Sequence, residues 1–310
     1  MSSDRVVDIL LATRNGSRYL PQLLESVAAQ TDDRWHLVAR DDASEDETPA
    51  LLEGFRTGRP AEVDLGREHI GAAANFGRLA QRSTAPFAMF CDQDDVWMPD
   101  KIERLMERMN TLESRLGSET PILVHSDLRV VDADLSPVHR SYWRFQNMAP
   151  ARDDLIQLLA QNTVTGCASL MNRALIERGL PIPDHAVMHD HWYALVAATC
   201  GMIDYLDDAT VHYRQHAGNT TGAQRWGPGR IWRQIRLGRS EHRRKMADSA
   251  AQARAFAGRY ADVIPDRQRQ AVDALVRLPT QSPWQRRRSI IRHRLWKKGF
   301  VRNCAMLLWA

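Results

Sequence analysis

Cysteine is scarce in this 310-residue chain, and its four copies are widely separated. Cys91, Cys167, Cys200 and Cys304 form no Cys-x-x-Cys pair, which argues against a zinc site and against a disulfide framework. The first residues lack the apolar core of a signal peptide, and no uninterrupted apolar run reaches the length of a membrane-spanning helix. These absences favour a reducing compartment, and we expect the protein in the cytoplasm.

Acidic residues are nearly absent from the last part of the chain. Residues 221–310 hold 21 Lys and Arg but only 5 Asp and Glu, whereas residues 1–220 hold 21 basic and 33 acidic residues. The net charge of +4 therefore hides an acidic body followed by a basic tail. We expect the body to need cations and the tail to bind anions.

Strand-like and helix-like patterns alternate through the first half of the chain. The predicted strands cover residues 6–12, 36–39, about 63 and 87–91, and the predicted helices cover residues 19–30, 46–55 and 72–80. This alternation predicts an α/β fold with a mostly parallel, doubly wound sheet. In such a sheet, the residues after three strands, 13–15, 41–42 and 92–95, meet at one rim, where ligands bind.

Three carboxylates follow the strand that ends at Cys91. Asp92, Asp94 and Asp95 lie within four positions, and burying them is costly unless a cation neutralises them. Carboxylates bind Mg²⁺ or Mn²⁺, often together with a substrate diphosphate. The cluster alone fits two interpretations equally well: a site for a metal-bound phosphate ester, or a solvated acidic turn with Asp100 capping the next helix.

Four segments together resemble the family 2 glycosyltransferases of the GT-A fold, especially bacterial rhamnosyltransferase-like members. They are residues 10–16 (LLATRNG), 38–44 (VARDDAS), 71–76 (GAAANF) and 92–97 (DQDDVW). The resemblance runs from about residue 6 to residue 222, with the segments in the family's order. It implies a GT-A catalytic domain over residues 1–222, flanked by a basic helical extension over residues 223–310, and transfer of a sugar from a nucleoside diphosphate.

The resemblance implies a divalent metal cofactor, Mg²⁺ or Mn²⁺, at the acidic cluster. Asp94 matches the metal-ligating member of the family's DxD motif. Asp92, the first member, would contact the ribose, or the metal through water, and Asp95 would support the site from behind. Gln93 is the variable middle residue and is expected at the donor nucleotide.

The resemblance also implies a nucleotide-binding wall that includes Thr13. Asp42 would accept a hydrogen bond from the imide N–H of uracil or thymine, which favours UDP or dTDP donors; simple turn chemistry is the alternative for Asp41 and Asp42. Arg14 stands where many relatives have the tyrosine of a TYN sequence, and a guanidinium can stack on a base or pair with a phosphate. Asn75 would orient the ribose or hold its loop.

The acceptor hydroxyl needs a general base, and in relatives this is an acidic residue at the start of a helix well after the DxD motif. The sequence His189-Asp190-His191-Trp192 before an apolar helix matches that position, so Asp190 is the expected base. Two alternatives are that Asp190 only caps the helix and that His189 or His191 is the base. Displacement with a single base inverts the anomeric centre.

Further segments resemble the parts of the family's site that close over the substrates. Residues 211–219 (VHYRQHAGN) are similar to a flap in which Arg214 and His216 would contact the diphosphate, with His216 also a candidate metal ligand. Residues 162–167 (NTVTGC) resemble an acceptor pocket that includes Gly166 and Cys167. Trp143 and Trp192 are candidate platforms for stacking a sugar, with core packing as the alternative.

The basic tail interleaves bulky apolar and cationic residues over residues 284–300, and the apolar residues 306–309 follow. This composition is typical of a helix lying on the anionic inner face of a membrane. The alternatives are a solvated helical hairpin or a homodimer contact. Nucleic acid is a weaker partner, since no nucleic-acid-binding motif accompanies the charge.

Taken together, the sequence predicts a metal-dependent, inverting glycosyltransferase at the inner face of the cell membrane. The resemblance implies transfer of L-rhamnose from dTDP-L-rhamnose to a saccharide or lipid-linked acceptor in surface polysaccharide biosynthesis. One alternative is transfer of a hexose or N-acetylhexosamine from UDP. Another is a binding or scaffold subunit that uses the fold without turnover.

Overall fold

A computed structural model of the protein describes residues 7–151, 153–216 and 238–309. The strands in these residues are β1 (Val7–Thr13), β2 (Trp35–Asp41), β3 (Ala61–Leu65), β4 (Phe87–Asp92), β5 (Val96–Trp97), β6 (Ile122–Val131), β7 (Pro137–His139), β8 (Ser169–Asn172) and β9 (Met202–Arg214). The helices are α1 (Leu20–Ala28), α2 (Thr48–Arg56), α3 (Ala72–Arg82), α4 (Lys101–Leu116), α5 (Tyr142–Gln146), α6 (Leu155–Ala160), α7 (Arg173–Gly179), α8 (His189–Cys200), α9 (Gly238–Arg259), α10 (Asp266–Arg277), α11 (Pro283–Arg292) and α12 (Phe300–Trp309).

The strands form one sheet in the order β3-β2-β1-β4-β8-β6-β9-β5, and β7 pairs with β6. β1 is parallel to both β2 and β4, and β2 is parallel to β3, as the alternating pattern predicts. β8 is antiparallel to β4 and β6, so the second half of the sheet is mixed. The register places Thr13 opposite Asp41 and Ala12 opposite Asp92, which brings the three polar strand ends to one rim.

Helices cover both faces of the sheet, and β1 is therefore buried on both sides. Ile9 and Leu11 face the core formed with α1 and α4, whereas Leu10 faces the core formed with α3 and α8. Consecutive strand residues point to opposite faces, so a continuous apolar run is what a doubly covered strand needs. The predicted α/β architecture with helices on both faces is therefore present.

The C-terminal helices contribute to the same core as the sheet. Phe256 of α9 and Tyr260, the residue after that helix, pack against Trp192 of α8, with ring centroids 5.7 and 6.0 Å from the tryptophan. Ile290 of α11 is also buried in this core. The domain boundary predicted at residue 222 lies outside the described residues and stays a prediction.

None of the helices in the described ranges is both long enough and apolar enough to cross a membrane. The longest of them, α9, has 22 residues, but charged side chains are frequent along it. They include Glu241, Arg243 and Lys245 in its first half.

Candidate active site

A cleft of about 680 Å³ opens beyond the carboxyl ends of β1, β2 and β4. Its position is the crevice in which open α/β sheets bind ligands. Ten of the residues proposed from the sequence lie on its wall: Thr13, Arg14, Asp42, Asn75, Asp92, Gln93, Asp94, Gly166, Asp190 and His216. One cavity therefore brings together side chains from positions 13 to 216.

The acidic cluster lies at this cleft, with Asp92 and Asp94 partly buried on its wall. Asp95 is fully buried, and its Oδ1 accepts a hydrogen bond from the backbone N–H of Arg214. Burial, together with the charges of Asp94 and Asp190, raises the pKa of Asp92 to about 7. Burial and the neighbouring carboxylates of Asp94 and Asp92 raise the pKa of Asp95 well above its usual range. The alternative of a solvated acidic turn does not fit this burial.

The donor set fits a hard divalent cation. Ligand atoms of Asp92, Asp95 and Cys167 lie within 4.8 Å of one another, and Asp94 Oδ2 lies 2.8 Å from His216 Nε2. The buried Oδ2 of Asp95 has no hydrogen-bond partner in the described part of the chain. Burial raises the pKa of the Cys167 thiol well above its usual range, and the carboxylate oxygens beside it are the ligand type that Mg²⁺ and Mn²⁺ prefer.

A buried lysine lies behind the cluster, and the sequence reasoning missed it. Lys101 is fully buried, and its Nζ donates to the carbonyl oxygen of Cys167 at 2.6 Å. The ammonium lies 3.3 Å from the ring centroid of Trp97. A cation at the first position of a helix is unfavourable with the helix dipole. The presence of Lys101 at the first position of α4 is therefore the sequence signal that could have drawn attention to this residue. Its charge offsets part of the negative charge of Asp92 and Asp95.

Lys101→Met is expected to destabilise the metal-free protein by about 1–3 kcal/mol, because it leaves the buried carbonyl oxygen of Cys167 without the donor that Lys101 Nζ provides. The same change should increase the stabilisation that Mn²⁺ provides, since the cation then meets a more negative site. Urea denaturation with and without Mn²⁺ measures both effects. The control Lys245→Met removes a lysine whose side chain is 69% exposed and should change stability by less than about 0.5 kcal/mol. Equal effects in the two variants would contradict this role.

The side chain of Gln93, which follows β4, forms two hydrogen bonds with the backbone of Arg14, which follows β1. Its side-chain Oε1 accepts from the backbone N–H of Arg14 at 2.8 Å, and its Nε2 donates to the carbonyl of Arg14 at 2.9 Å. A Cβ atom on Gly16 would lie 2.2 Å from Gln93 Oε1, so the clasp requires glycine there. In this structure the Gln93 side chain positions the backbone of Arg14, in the loop that follows β1.

Asp41 and Thr13 also organise this rim. Asp41 is buried, and its Oδ1 accepts hydrogen bonds from the hydroxyls of Thr13 and Ser44. Its Oδ2 accepts from the backbone N–H of Ser44. This is the turn chemistry proposed as the alternative for the Asp41-Asp42 pair, and it applies to Asp41.

Asp42 lies on the cleft wall with both carboxylate oxygens engaged. Oδ1 accepts from the side chain of Arg40 and the backbone N–H of Ile70. Oδ2 lies 2.7 Å from His69 Nδ1 and accepts from the backbone N–H of Gly71. These contacts hold the pKa of Asp42 below its usual value, despite the opposing effect of burial. His69 is the most accessible of these partners, with its side chain 50% exposed.

Asn75 holds Arg40 in place. The amide oxygen of Asn75 accepts from Arg40 Nη1 at 2.9 Å, and its Nδ2 donates to the carbonyl of Arg40 at 3.2 Å. Both side chains are buried. Of the two roles expected for Asn75, holding the loop is therefore the one that these contacts support, and Arg40 is a site-organising residue that sequence reasoning missed.

Asp190 lies in the first turn of α8 and reaches the cleft. Its Oδ2 accepts from the backbone N–H of Gly166 at 3.1 Å, and its Oδ1 accepts from Asn162 Nδ2 at 3.3 Å. Burial raises the pKa of Asp190 to about 6, although the N–H groups of Gly166 and His191 oppose this shift. The helix cap is Met188, so the alternative that Asp190 is only the N-cap is wrong. Gly166 must lack a side chain, because a Cβ would lie 2.7 Å from His189 Nε2.

The two neighbouring histidines are buried and neutral. His189 lies between the rings of Phe76 and Phe90, and burial lowers its pKa to about 3. His191 Nε2 donates to the carbonyl of Leu158, and its Nδ1 accepts from Gln252 Nε2. Burial lowers the pKa of His191 to about 4. With both nitrogens of His191 engaged in structural bonds, it is not placed to act as the base.

Arg214 does not face the cleft as expected for a diphosphate contact. It is 1% exposed, and its guanidinium donates to the carbonyls of Asp94 and Ala133 and to the side chain of Gln22. It therefore braces the acidic loop from behind. His216 does line the cleft, and its ring packs at a tilt against Tyr19 with ring centroids 4.6 Å apart. The end of the predicted flap, residues 217–219, lies outside the described residues.

Three expected acceptor residues lie in the core and do not line the cleft. Trp143 is 4% exposed and packs against His125 and Tyr205. Trp192 is fully buried, and its Nε1 donates to the carbonyl of Gly179 at 2.8 Å. Cys167 is fully buried beside Asp95. The two tryptophans are packed in the core, where burying their large apolar rings is favourable, and so they cannot stack on a bound sugar.

The aromatic rings that do line this part of the cleft are those of Tyr142 and Tyr213, whose centroids lie 5.4 Å apart. Sequence reasoning did not select them, although Tyr213 lies within the segment that resembles the family's flap. Their position makes them the candidates for packing against a bound sugar.

Comparison with known proteins identifies the family of this chain. The family model described as glycosyl transferase family 2 matches residues 8–179, which is more than half of the chain. The dTDP-rhamnosyl transferase RfbG of Shigella flexneri is 25% identical over 222 residues, covering 69% of this chain and 74% of that protein. The teichuronic acid biosynthesis glycosyltransferase TuaG of Bacillus subtilis, itself named as putative, is 24% identical over 168 residues.

The match to TuaG covers 54% of this chain and 61% of TuaG. An uncharacterized glycosyltransferase of Nostoc is 24% identical, and that match covers 69% of this chain and 66% of the Nostoc protein. This chain thus spans less than two thirds of these two relatives.

Solved structures share the fold at low sequence identity. Staphylococcus aureus TarS 1-349 in complex with UDP-GlcNAc has a TM-score of 0.59 at 14% identity, covering 93% of this chain and 80% of that one. The Pyrobaculum calidifontis mannosyltransferase PcManGT in complex with GDP-Man and Mn²⁺ has a TM-score of 0.55 at 16% identity, covering 99% and 85%. These similarities confirm the predicted GT-A-like fold. With the family model matching more than half of its length, the chain belongs to glycosyl transferase family 2.

Proposed function

We propose that the protein transfers a sugar from a pyrimidine nucleoside diphosphate to an acceptor hydroxyl, with inversion at the anomeric carbon. The observation that carries this proposal is the combination on one cleft wall of a carboxylate pair suited to a divalent cation with a separate carboxylate whose pKa is about 6. The first can hold a metal-bound diphosphate, and the second can accept a proton near neutral pH.

In the donor half of the site, Asp92, Asp94 and His216 would hold the cation. A bound Mg²⁺ or Mn²⁺ supplies positive charge that stabilises the leaving diphosphate. Asp95 supports the site from below through the backbone N–H of Arg214, and Lys101 limits the repulsion among the carboxylates. PcManGT, which has the same fold, is described with GDP-Man and Mn²⁺ bound.

In the acceptor half, Asp190 would take the proton of the attacking hydroxyl. The hydroxyl oxygen forms a bond to the anomeric carbon, the bond from that carbon to the diphosphate oxygen breaks, and the proton moves to a carboxylate oxygen of Asp190. The bond from Gly166 N–H holds the carboxylate in position. A pKa of about 6 leaves most of Asp190 ionised at pH 7, while keeping it basic enough to bind a proton.

The nucleobase would bind near Asp42. A uracil or thymine imide N–H would replace His69, the most exposed donor to this carboxylate, while the bonds from Arg40 and the loop amides stay in place. Arg14 lies at the mouth of the cleft, where its guanidinium can stack on the base or pair with a phosphate.

The proposed donor is dTDP-L-rhamnose, and the proposed context is surface polysaccharide biosynthesis. Similarity to RfbG, named as a dTDP-rhamnosyl transferase, supports the donor, and similarity to TuaG supports the context. A UDP-linked hexose or N-acetylhexosamine is the second candidate, favoured by the shared fold of TarS in complex with UDP-GlcNAc. The ionisable carboxylates on the cleft wall argue against a scaffold without turnover.

A panel of nucleotide sugars tests this proposal. Purified full-length protein with Mn²⁺ or Mg²⁺ is expected to release dTDP or UDP from dTDP-L-rhamnose or a UDP-sugar, with slow hydrolysis when no acceptor is present. Mass spectrometry of products formed with a panel of saccharide acceptors identifies the sugar transferred. GDP-mannose serves as the purine control. Faster release of GDP would overturn the proposed base recognition, and no release with any donor and acceptor would favour a binding subunit.

A further inference from the structure

Exposed apolar side chains are concentrated in the last two helices. Among the described residues, eleven large hydrophobic side chains are exposed, and five of these belong to α11 and α12. The five are Trp284, Ile291, Phe300, Val301 and Leu308. Trp284 is 73% exposed and Phe300 is 83% exposed. Single exposed apolar residues are ordinary, but five within a 27-residue segment indicate a contact surface.

The exposed apolar side chains of α11 lie on one face of that helix. Trp284, Arg288 and Ile291 are spaced by four and three residues, so they share the outer face of α11. The adjacent residue, Ile290, is 3% exposed and belongs to the core. The side chain of Arg287 donates to the carbonyl of Leu307 at 2.8 Å, which fixes α12 against α11.

Positive charge is concentrated in the same segment. Residues 283–309 contain eight Lys and Arg and no Asp or Glu. Some of these cations have structural roles: Arg286 donates to the carbonyl of Leu278, and Lys298 donates to the carbonyl of Met148. Arg288, Arg292 and Arg294 are exposed to solvent. We call the five exposed apolar residues and these three arginines the C-terminal face.

We infer that the C-terminal face binds an anionic membrane surface. Exposed tryptophan and aliphatic side chains bury apolar area at the headgroup boundary, while neighbouring arginines bind anionic lipid headgroups. A second copy of this chain fits less well, because pairing two such faces would bring together two segments that each carry eight positive charges and no carboxylate. Nucleic acid would match the charge but leave the apolar side chains without a role.

The segment that carries the C-terminal face also contacts the wall of the cleft, through Lys298. Its Nζ donates to the carbonyl of Met148, a residue that lines the cleft. If the proposed sugar transfer is correct, and this step rests on it, an acceptor anchored in the membrane is presented close to the cleft. Membrane binding itself needs no catalysis and is measured separately.

Co-sedimentation with phosphatidylcholine vesicles, with and without phosphatidylglycerol, tests the inference. The wild type is expected to bind the anionic vesicles at low ionic strength and to bind them less as salt increases. The charge variant Arg288→Gln/Arg292→Gln/Arg294→Gln should lower the partition coefficient about tenfold or more. The apolar variant Trp284→Ser/Ile291→Ser/Leu308→Ser should lower it as well. Point substitutions are used because truncation would remove Ile290 and Leu295 from the core.

Matched controls remove the same types of side chain from other exposed positions. The charge control is Arg78→Gln/Arg115→Gln/Arg267→Gln, and the apolar control is Leu116→Ser/Val138→Ser/Val263→Ser. Both should bind vesicles like the wild type, and circular dichroism checks that every variant is folded.

Three results would overturn the inference. One is vesicle binding that is unchanged in both C-terminal variants or equally reduced in their controls. A second is a dimer, detected by light scattering, that the apolar variant dissociates while vesicle binding persists. A third is tighter retention on a DNA oligonucleotide than on anionic vesicles, lost in the charge variant. Nucleoside diphosphate release by the C-terminal variants in solution distinguishes a failed membrane role from a failed catalytic proposal.

Discussion

Asp94→Asn is expected to abolish Mn²⁺-dependent release of nucleoside diphosphate, with a loss in kcat of at least about 100-fold. Asp94 lies on the cleft wall, 2.8 Å from His216 and close in sequence to Asp92. Asparagine preserves the shape of the side chain but removes the negative charge that a divalent cation requires. The measurement is the rate of nucleoside diphosphate release at saturating donor, with Mn²⁺ and with a chelator.

Asp100→Asn is the matched control for this experiment. Asp100 is in the same segment, but its side chain is 49% exposed and does not line the cleft. This variant should keep the wild-type rate and the wild-type dependence on Mn²⁺. A wild-type enzyme that turns over equally well in the presence of a chelator, or equal losses in both variants, would be incompatible with a metal site at Asp94.

Asp190→Asn is expected to reduce sugar transfer by about 10²–10⁴-fold while leaving donor binding intact. Asparagine is similar in size and can still accept the hydrogen bond from Gly166, but it cannot take the proton of the acceptor hydroxyl. Initial rates of product formation measure the loss, and calorimetric titration with the nucleoside diphosphate and Mn²⁺ measures donor binding. Loss of nucleotide binding in this variant would point to a structural role.

The pH dependence of the wild type provides a second test of Asp190. Its pKa is raised to about 6, so the carboxyl is protonated below that pH and cannot act as a base. The rate of transfer is therefore expected to increase with pH through about 6 and to level off above it. Asp190→Asn should lose this increase, whereas Asp184→Asn, which removes an exposed carboxylate nearby in the sequence, should keep it. An unchanged profile in Asp190→Asn would assign the titration to another group.

Local patterns were enough to predict the parallel half of the sheet and the rim. Apolar runs such as residues 7–12 identify strands that are buried on both faces, and the alternation with helices implies parallel crossovers. Parallel strands must end at the same edge, so the polar residues after β1, β2 and β4 had to meet. The antiparallel insertion of β8 between β4 and β6 depends on pairing between segments distant in sequence, which no local pattern encodes.

In the candidate site, too, some residues could be selected from the sequence, whereas the position of others depended on tertiary packing. The resemblance to the family's motifs selected Asp92, Asp94 and Asp190 as candidates, and the structure places all three on the cleft wall. Trp143 and Trp192 were assigned to substrates from their chemistry and Arg214 from the resemblance to the family's flap, yet the structure buries all three. A tryptophan or an arginine has the same chemistry in a core or in a cleft, and only packing decides which it serves.

The sequence alone determined the family and the α/β class of fold, since these depend on residue type and order, and it supplied the candidate carboxylates of the site. Tertiary structure decided which groups face the cleft and in what electrostatic state. It placed Lys101 behind the acidic cluster and raised the pKa of Asp190 by burial. It also packed α9 to α11 onto the same core as α8 and left the C-terminal face exposed. Burial and pairing are properties of the folded chain, because they arise when residues far apart in sequence exclude water from one another.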